Sequence, residues 1–141
     1  MLKFAFSLLG AAALAIGGMI FVIGPEATGQ TFAAMLRLLA PETPRVSGLS
    51  GADIDSEMRF YAVLWMAYGA AALWVARGLP ERMGLMRLML GVFLLGGLGR
   101  VISYFVAGAP HPLFIALMWI EIIFPLALTA LSYRGAKPGA S

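Results

Sequence analysis

Four apolar runs, parted by short breaks of glycine, proline or charge, decide what this chain can fold into. They cover about residues 4–24, 58–76, 86–107 and 113–132. A helix rises about 1.5 Å per residue, so a run of roughly twenty residues crosses a hydrocarbon core about 30 Å thick. Composition supports that setting, because 61% of residues are hydrophobic and 12% are charged, whereas a soluble domain carries about a quarter charged residues. The expected fold is all-α: an integral membrane four-helix bundle with a short external amphipathic helix between spans one and two. With 141 residues, no internal repeat and no long linker, a single four-span domain over 1–141 is expected.

The first run stops at Gly24-Pro25. Lys3 before it and Ala13-Leu14-Ala15 within it resemble a cleaved signal peptide, but the run continues past that point without a polar break. An uncleaved span is therefore expected. Small residues at Ala11 and Ala15, and at Ala13 and Gly17, would let a neighbouring helix approach closely.

Residues 26–57 form the one sizeable polar excursion. Within it Phe32, Met35, Leu36 and Leu39 recur at helical spacing, with Gln30 and Arg37 elsewhere on the wheel, so a short amphipathic helix lying on the membrane surface is predicted. Pro41 and Pro44 end it. Asp53, Asp55 and Glu57 precede the second span, where acids offset the helix dipole and cap free N–H groups.

Basic residues orient the bundle. Placing both termini in the cytoplasm gathers Lys3, Arg77, Arg82, Arg87, Arg134 and Lys137 on that side, with the excursion and the Pro110-His111-Pro112 turn outside. The net charge of +3 is thus scattered at span ends, which argues against a nucleic-acid partner. With no cysteine and one histidine, no metal site is expected, and nothing in the sequence indicates a cofactor.

Arg100 and Glu121 lie within spans three and four. An ionised side chain at the middle of a span costs roughly 2.5–3.5 kcal/mol on insertion scales, so such residues have a partner and a purpose. Counted from the Pro-His-Pro turn, Arg100 lies about 10 Å deep and Glu121 about 14 Å by helix rise. A short turn makes these spans antiparallel neighbours, so a direct or water-bridged ion pair is expected. The plainer reading is a pair that fixes helix register. Pro125 frees the carbonyl of Glu121 four residues back, so a bend and a polar cavity are expected there. Ser103 and Tyr104 share a face with Arg100, and Tyr61 and Tyr68 follow Glu57 and Arg59 into the membrane on one side of span two. Each tyrosine alone reads as an interfacial or packing residue. His111, between two prolines, reads as a solvated rim residue or a group that titrates near neutrality. Gly96-Gly97-Leu98-Gly99 follows no strand, so it permits close packing or leaves room for a ligand rather than cradling phosphate. Trp65, Trp74 and Trp119 read as core or lipid-facing side chains.

The candidate ligand-binding residues are therefore Arg100, Glu121, Arg59, Glu57, Tyr61, Tyr104 and His111. The leading functional expectation is a polar intramembrane pocket for a lipid, quinone, isoprenoid or similar amphipathic molecule. An accessory or assembly subunit of a larger membrane complex, or a homo-oligomer, is the alternative from another class. A third is an isomerase-like membrane enzyme, with Glu121 as proton carrier and His111 or Tyr104 as the second group.

Asp55-Ser56-Glu57-Met58-Arg59-Phe60-Tyr61, Phe93-Leu94-Leu95-Gly96-Gly97-Leu98-Gly99-Arg100, and Pro110-His111-Pro112 with Glu121 resemble a family of small bacterial four-helix membrane proteins. That family is the domain of unknown function 4345, and the resemblance covers nearly the whole chain. It implies a bacterial inner-membrane location and carries over Glu57, Arg59, Tyr61, Arg100, His111 and Glu121. The layout also resembles the DoxX-like four-helix proteins. By architecture alone it is similar to the sterol isomerase and sigma-two-receptor group, whose members hold apolar ligands near buried acids.

Overall fold

The structure, a computed structural model, describes residues 1–134; Lys137 and the C-terminal tail lie outside the described residues. It contains helices α1 (Leu2–Ile23), α2 (Pro25–Arg37), α3 (Ala52–Arg77), α4 (Met83–Ala107) and α5 (Pro112–Arg134), with no strand among the described residues. Helices α1, α3, α4 and α5 are long and apolar enough to cross a membrane. The chain is a multi-pass membrane protein with the fourfold span pattern that its apolar runs predict.

The break between α1 and α2 is made by two adjacent residues. Gly24 adopts φ 87°, which glycine takes without steric cost, and Pro25 occupies the first turn of α2. Helix α2 begins well before the apolar pattern does, because Thr28 and Thr31 donate their hydroxyls back to the carbonyls of Gly24 and Ala27 at 2.7 and 2.9 Å. It ends at Arg37, so Leu39 falls beyond the helix rather than on its apolar face. The expected apolar face is split. Phe32 and Leu36 pack with Ala33 against Val46, Leu49 and the first turns of α5, while Met35, Leu38 and Leu39 are exposed. The start of α5 offers apolar surface closer than the membrane does, and half of the face goes to it.

The spans associate as two pairs. Helices α1 and α3 cross where Gly10 meets Gly69: a Cβ on Gly69 would lie 2.7 Å from the Gly10 carbonyl oxygen, and one on Gly10 would lie 2.8 Å from that of Gly69. In lipid, where apolar transfer drives little, such close backbone packing is a main source of association. Of the two small-residue pairs on α1, Ala13 and Gly17 are buried, whereas Ala11 and Ala15 face outward. Helices α4 and α5 meet at Gly97, where a Cβ would lie 2.9 Å from Ile122 and 3.0 Å from the backbone of Glu121.

The two pairs are joined at the end rich in arginine. There Phe6 and Leu9 of α1, Ala72, Val75 and Ala76 of α3, Met86, Met89, Leu90 and Phe93 of α4, and Leu128 of α5 form one buried cluster. Its upper boundary is a stack of rings, with Trp65 and Tyr68 centroids 5.3 Å apart and Phe93 5.8 Å from Trp65. Tyr68 donates its hydroxyl to the Met89 carbonyl at 2.9 Å, so it ties α3 to α4 instead of lining a pocket. Beyond this level the pairs part. No residue of α4 past Gly97 is buried.

Candidate functional site

Gly97 explains how a glutamate comes to lie in the bundle. Without a side chain there, α5 seats its Glu121 segment directly on α4, and Arg100, one turn further along α4, reaches across to it. The Arg100 Nε donates to Glu121 Oε2 at 2.7 Å. The expected ion pair is formed. Its partners differ in surroundings, since the Glu121 side chain is 11% exposed and that of Arg100 37%. The guanidinium carbon lies 5.9 Å from the centre of the Phe114 ring. Among the described residues the two terminal amino groups of Arg100 find no protein acceptor.

Exposure here has a geometric cause. Arg100 follows Phe93 by seven residues, about two turns, and so points the same way as the buried Phe93. Tyr104, one turn further, shares that side. Arg100 and Tyr104 thus lie on the same side of α4 as Phe93 yet remain partly open, Arg100 being met, among the described residues, by Glu121 and Phe114 of α5 alone. Tyr61 and Leu64 hold the matching position on α3, about one turn beyond Trp65 and Tyr68, and both are exposed. Above the ring stack, then, Tyr61 and Leu64 of α3 and Arg100 and Tyr104 of α4 are all partly or largely exposed. Pro125 is buried and withholds the N–H that would bond the Glu121 carbonyl, while α5 continues as one helix through it.

The other predicted site residues go elsewhere. Arg59 donates to both Asp55 oxygens, at 2.7 and 3.2 Å, and to the Phe21 carbonyl. That carbonyl would bond the N–H four residues on, but the residue there is Pro25, so Arg59 supplies the missing donor at the end of α1. Glu57 is exposed, and Tyr61 packs edge-on to Phe60. His111 caps α5: its Nδ1 accepts from the Leu113 N–H at 3.1 Å, which leaves Nε2 to donate to the Pro44 carbonyl at 3.0 Å. Arg37 also donates towards that loop, to Thr43 and Pro44, and Gln30 exchanges two hydrogen bonds with Val46. The structure therefore brings Arg100 and Glu121 into contact and leaves Tyr104 and Tyr61 exposed on α4 and α3. Arg59 and His111 hold the α2 end together, and Glu57 lies exposed near it.

A cleft of about 750 Å³ opens at the α2 end between the Gly24 corner and the start of α3, walled in part by Glu26, Gln30, Ser50 and Asp55, and neither Arg100 nor Glu121 lines it. The spacing of Asp55 and Arg59, four residues apart, was the available signal for the Asp55 pairing.

Compared with known families, residues 1–132 match the one described as a domain of unknown function (DUF4345), and the chain belongs to that family. No curated protein and no solved structure matches it.

Proposed function

We propose that this member of the DUF4345 family holds a lipid, quinone, isoprenoid or similar amphipathic molecule in the membrane, with its polar head at Arg100 and Glu121. One observation carries the reading: a partly exposed guanidinium, at a depth of about 10 Å by helix rise, is held by a single hydrogen bond and has donors to spare. Unfilled donors in a low-dielectric setting are costly, and a ligand head that fills them recovers that cost. The exposed aromatic and aliphatic side chains above the ring stack, Tyr61, Leu64 and Tyr104, suit the apolar body of such a molecule.

The same reading places the protein in a bacterial inner membrane with both termini cytoplasmic and α2 outside. Lys3, Arg77, Arg82, Arg87 and Arg134 at one end support it. Because the chain lacks cysteine, single cysteines at Ser50 and Glu81 test it directly. An impermeant thiol reagent added to intact cells should label Ser50→Cys and spare Glu81→Cys.

Gentle extraction followed by native mass spectrometry tests the binding. Wild-type protein should retain a small amphipathic molecule that Arg100→Leu and Glu121→Leu each lose. Identical retained molecules in all three would end this reading.

A second reading, as a subunit of a larger membrane complex, is favoured by the exposed Met35, Leu38 and Leu39 at the α2 end and by the outward alanines Ala11 and Ala15 of α1. A stoichiometric protein partner on sizing supports it, and a discrete monomer or homo-oligomer opposes a hetero-complex.

A further inference from the structure

This inference rests on the binding reading above and concerns the charge of what is bound. Arg100 is already neutralised. Its partner carboxylate is buried, at 2.7 Å, and stays with it. What the guanidinium still offers is hydrogen-bond donors, not net charge. An anionic head would add an unbalanced negative charge to an electroneutral pair at hydrocarbon depth, while an uncharged oxygen fills the donors and adds none.

Four of the other arginines are engaged elsewhere. Arg59, two residues before Tyr61 on α3, is spent on Asp55 and on the end of α1. Arg37 is spent on Thr43 and Pro44. Arg82 and Arg87 belong to the opposite end, where they bond Trp74 and Ser132. The exposed Tyr61, Leu64 and Tyr104, and Trp65 and Phe93 of the ring stack below them, carry no formal charge.

We infer that Arg100 and Glu121 hold the uncharged oxygen head, carbonyl or hydroxyl, of a lipid-soluble molecule that slides in sideways between α3 and α4. The direction of access follows from the same geometry. Above the ring stack the side of α4 that carries Arg100 and Tyr104 is partly open, so a molecule in the adjoining leaflet reaches the guanidinium without leaving the hydrocarbon. Two sources share this head chemistry: an acylglycerol and an isoprenoid quinone.

The test uses the full-length protein, delipidated and reconstituted in lipid nanodiscs, read by native mass spectrometry. Four probes are offered separately: dioleoylglycerol, a long-tailed ubiquinone, oleate and squalene. Wild type should retain dioleoylglycerol, ubiquinone or both, and which of them binds identifies the source. Oleate and squalene should be retained at least tenfold less. The Arg100→Gln/Glu121→Gln double variant keeps the site electroneutral and close in shape, so it folds if charge balance is what the pair gives the fold. It should lose the neutral-headed probe at least tenfold.

Preferred retention of oleate would overturn the uncharged-head inference and leave the binding reading standing. Preferred retention of squalene would show a site without polar recognition and overturn both. Equal retention of a neutral-headed probe by wild type and the double variant, or retention of no probe by wild type, would also overturn both. A Leu64→Trp variant, which adds bulk on the exposed side of α3 without changing the pair, should reduce loading; unchanged loading overturns the lateral route.

Discussion

The two ends of the bundle use arginine in opposite ways. At the arginine-rich end, Arg82 donates to the Trp74 carbonyl at 2.5 Å and lies 3.5 Å over the Trp74 ring. Arg87 donates to the hydroxyl and carbonyl of Ser132 at 2.8 and 3.1 Å and lies 3.9 Å over Tyr133. Both supply donors to helix ends whose carbonyls lack them, and their charge favours the negative pole of the dipole. Beneath them the core is closed. At the α2 end Arg59 does the same for α1, but Arg100 does not. It sits in mid-helix against a carboxylate and stays partly exposed. An arginine at a helix end completes the backbone's own hydrogen bonds, whereas Arg100 is matched by a side chain and keeps donors to spare.

The sharpest test of this contrast compares aromatic truncations at the two ends. Phe6 is fully buried in the joined core, so Phe6→Ala should cost about 3–5 kcal/mol in reversible unfolding in detergent. Phe114, half-buried beside Arg100, should cost well under that when changed to alanine. Equal losses would mean that the α2 end is as tightly packed as the other, and the contrast would have to be abandoned.

Much of this layout is legible in the sequence, because span length is a local property and lipid forbids most alternatives. The Arg100–Glu121 contact is legible for a related reason: a short turn forces α4 and α5 to run back to back, and both charges lie at similar depth. Other features depend on which helix packs against which, and that is not local. Tyr61 and Tyr68 are spaced to share a side, yet Tyr68 lies at the level where α3 touches α4 and Tyr61 above it. Ala11 with Ala15, and Ala13 with Gly17, have the same spacing, and only contact with α3 decides that the second pair is buried. The duty of Arg59 had a readable cue in Pro25, which cannot donate to Phe21. The cue becomes meaningful only once α3 is known to lie beside α1.

A second, smaller effect is expected where α1 and α3 cross. Gly69→Ala places a methyl 2.7 Å from the Gly10 carbonyl oxygen, a distance at which backbone must move. Overpacking of this kind costs about 1–3 kcal/mol. A thermal midpoint unchanged from wild type would show that the pair is looser than described.

The smallest effect separates glycines that look alike in the sequence. Within Gly96-Gly97-Leu98-Gly99, a methyl on Gly97 meets α5, whereas at Gly96 and Gly99, and also at Gly91, it meets nothing within 4 Å. In an isolated helix alanine is favoured over glycine by about 0.8–1 kcal/mol, so Gly91→Ala and Gly96→Ala should each stabilise the monomer slightly, by up to that amount. Gly97→Ala should destabilise it. The sign of this difference also bears on the subunit reading. If Gly91→Ala stabilises the purified chain yet disrupts a complex isolated from cells, the outward face of α4 is packed against a partner there. If it is harmless in both, that face meets lipid, and the glycines of α4 other than Gly97 and the untested Gly84 and Gly99 carry no packing role.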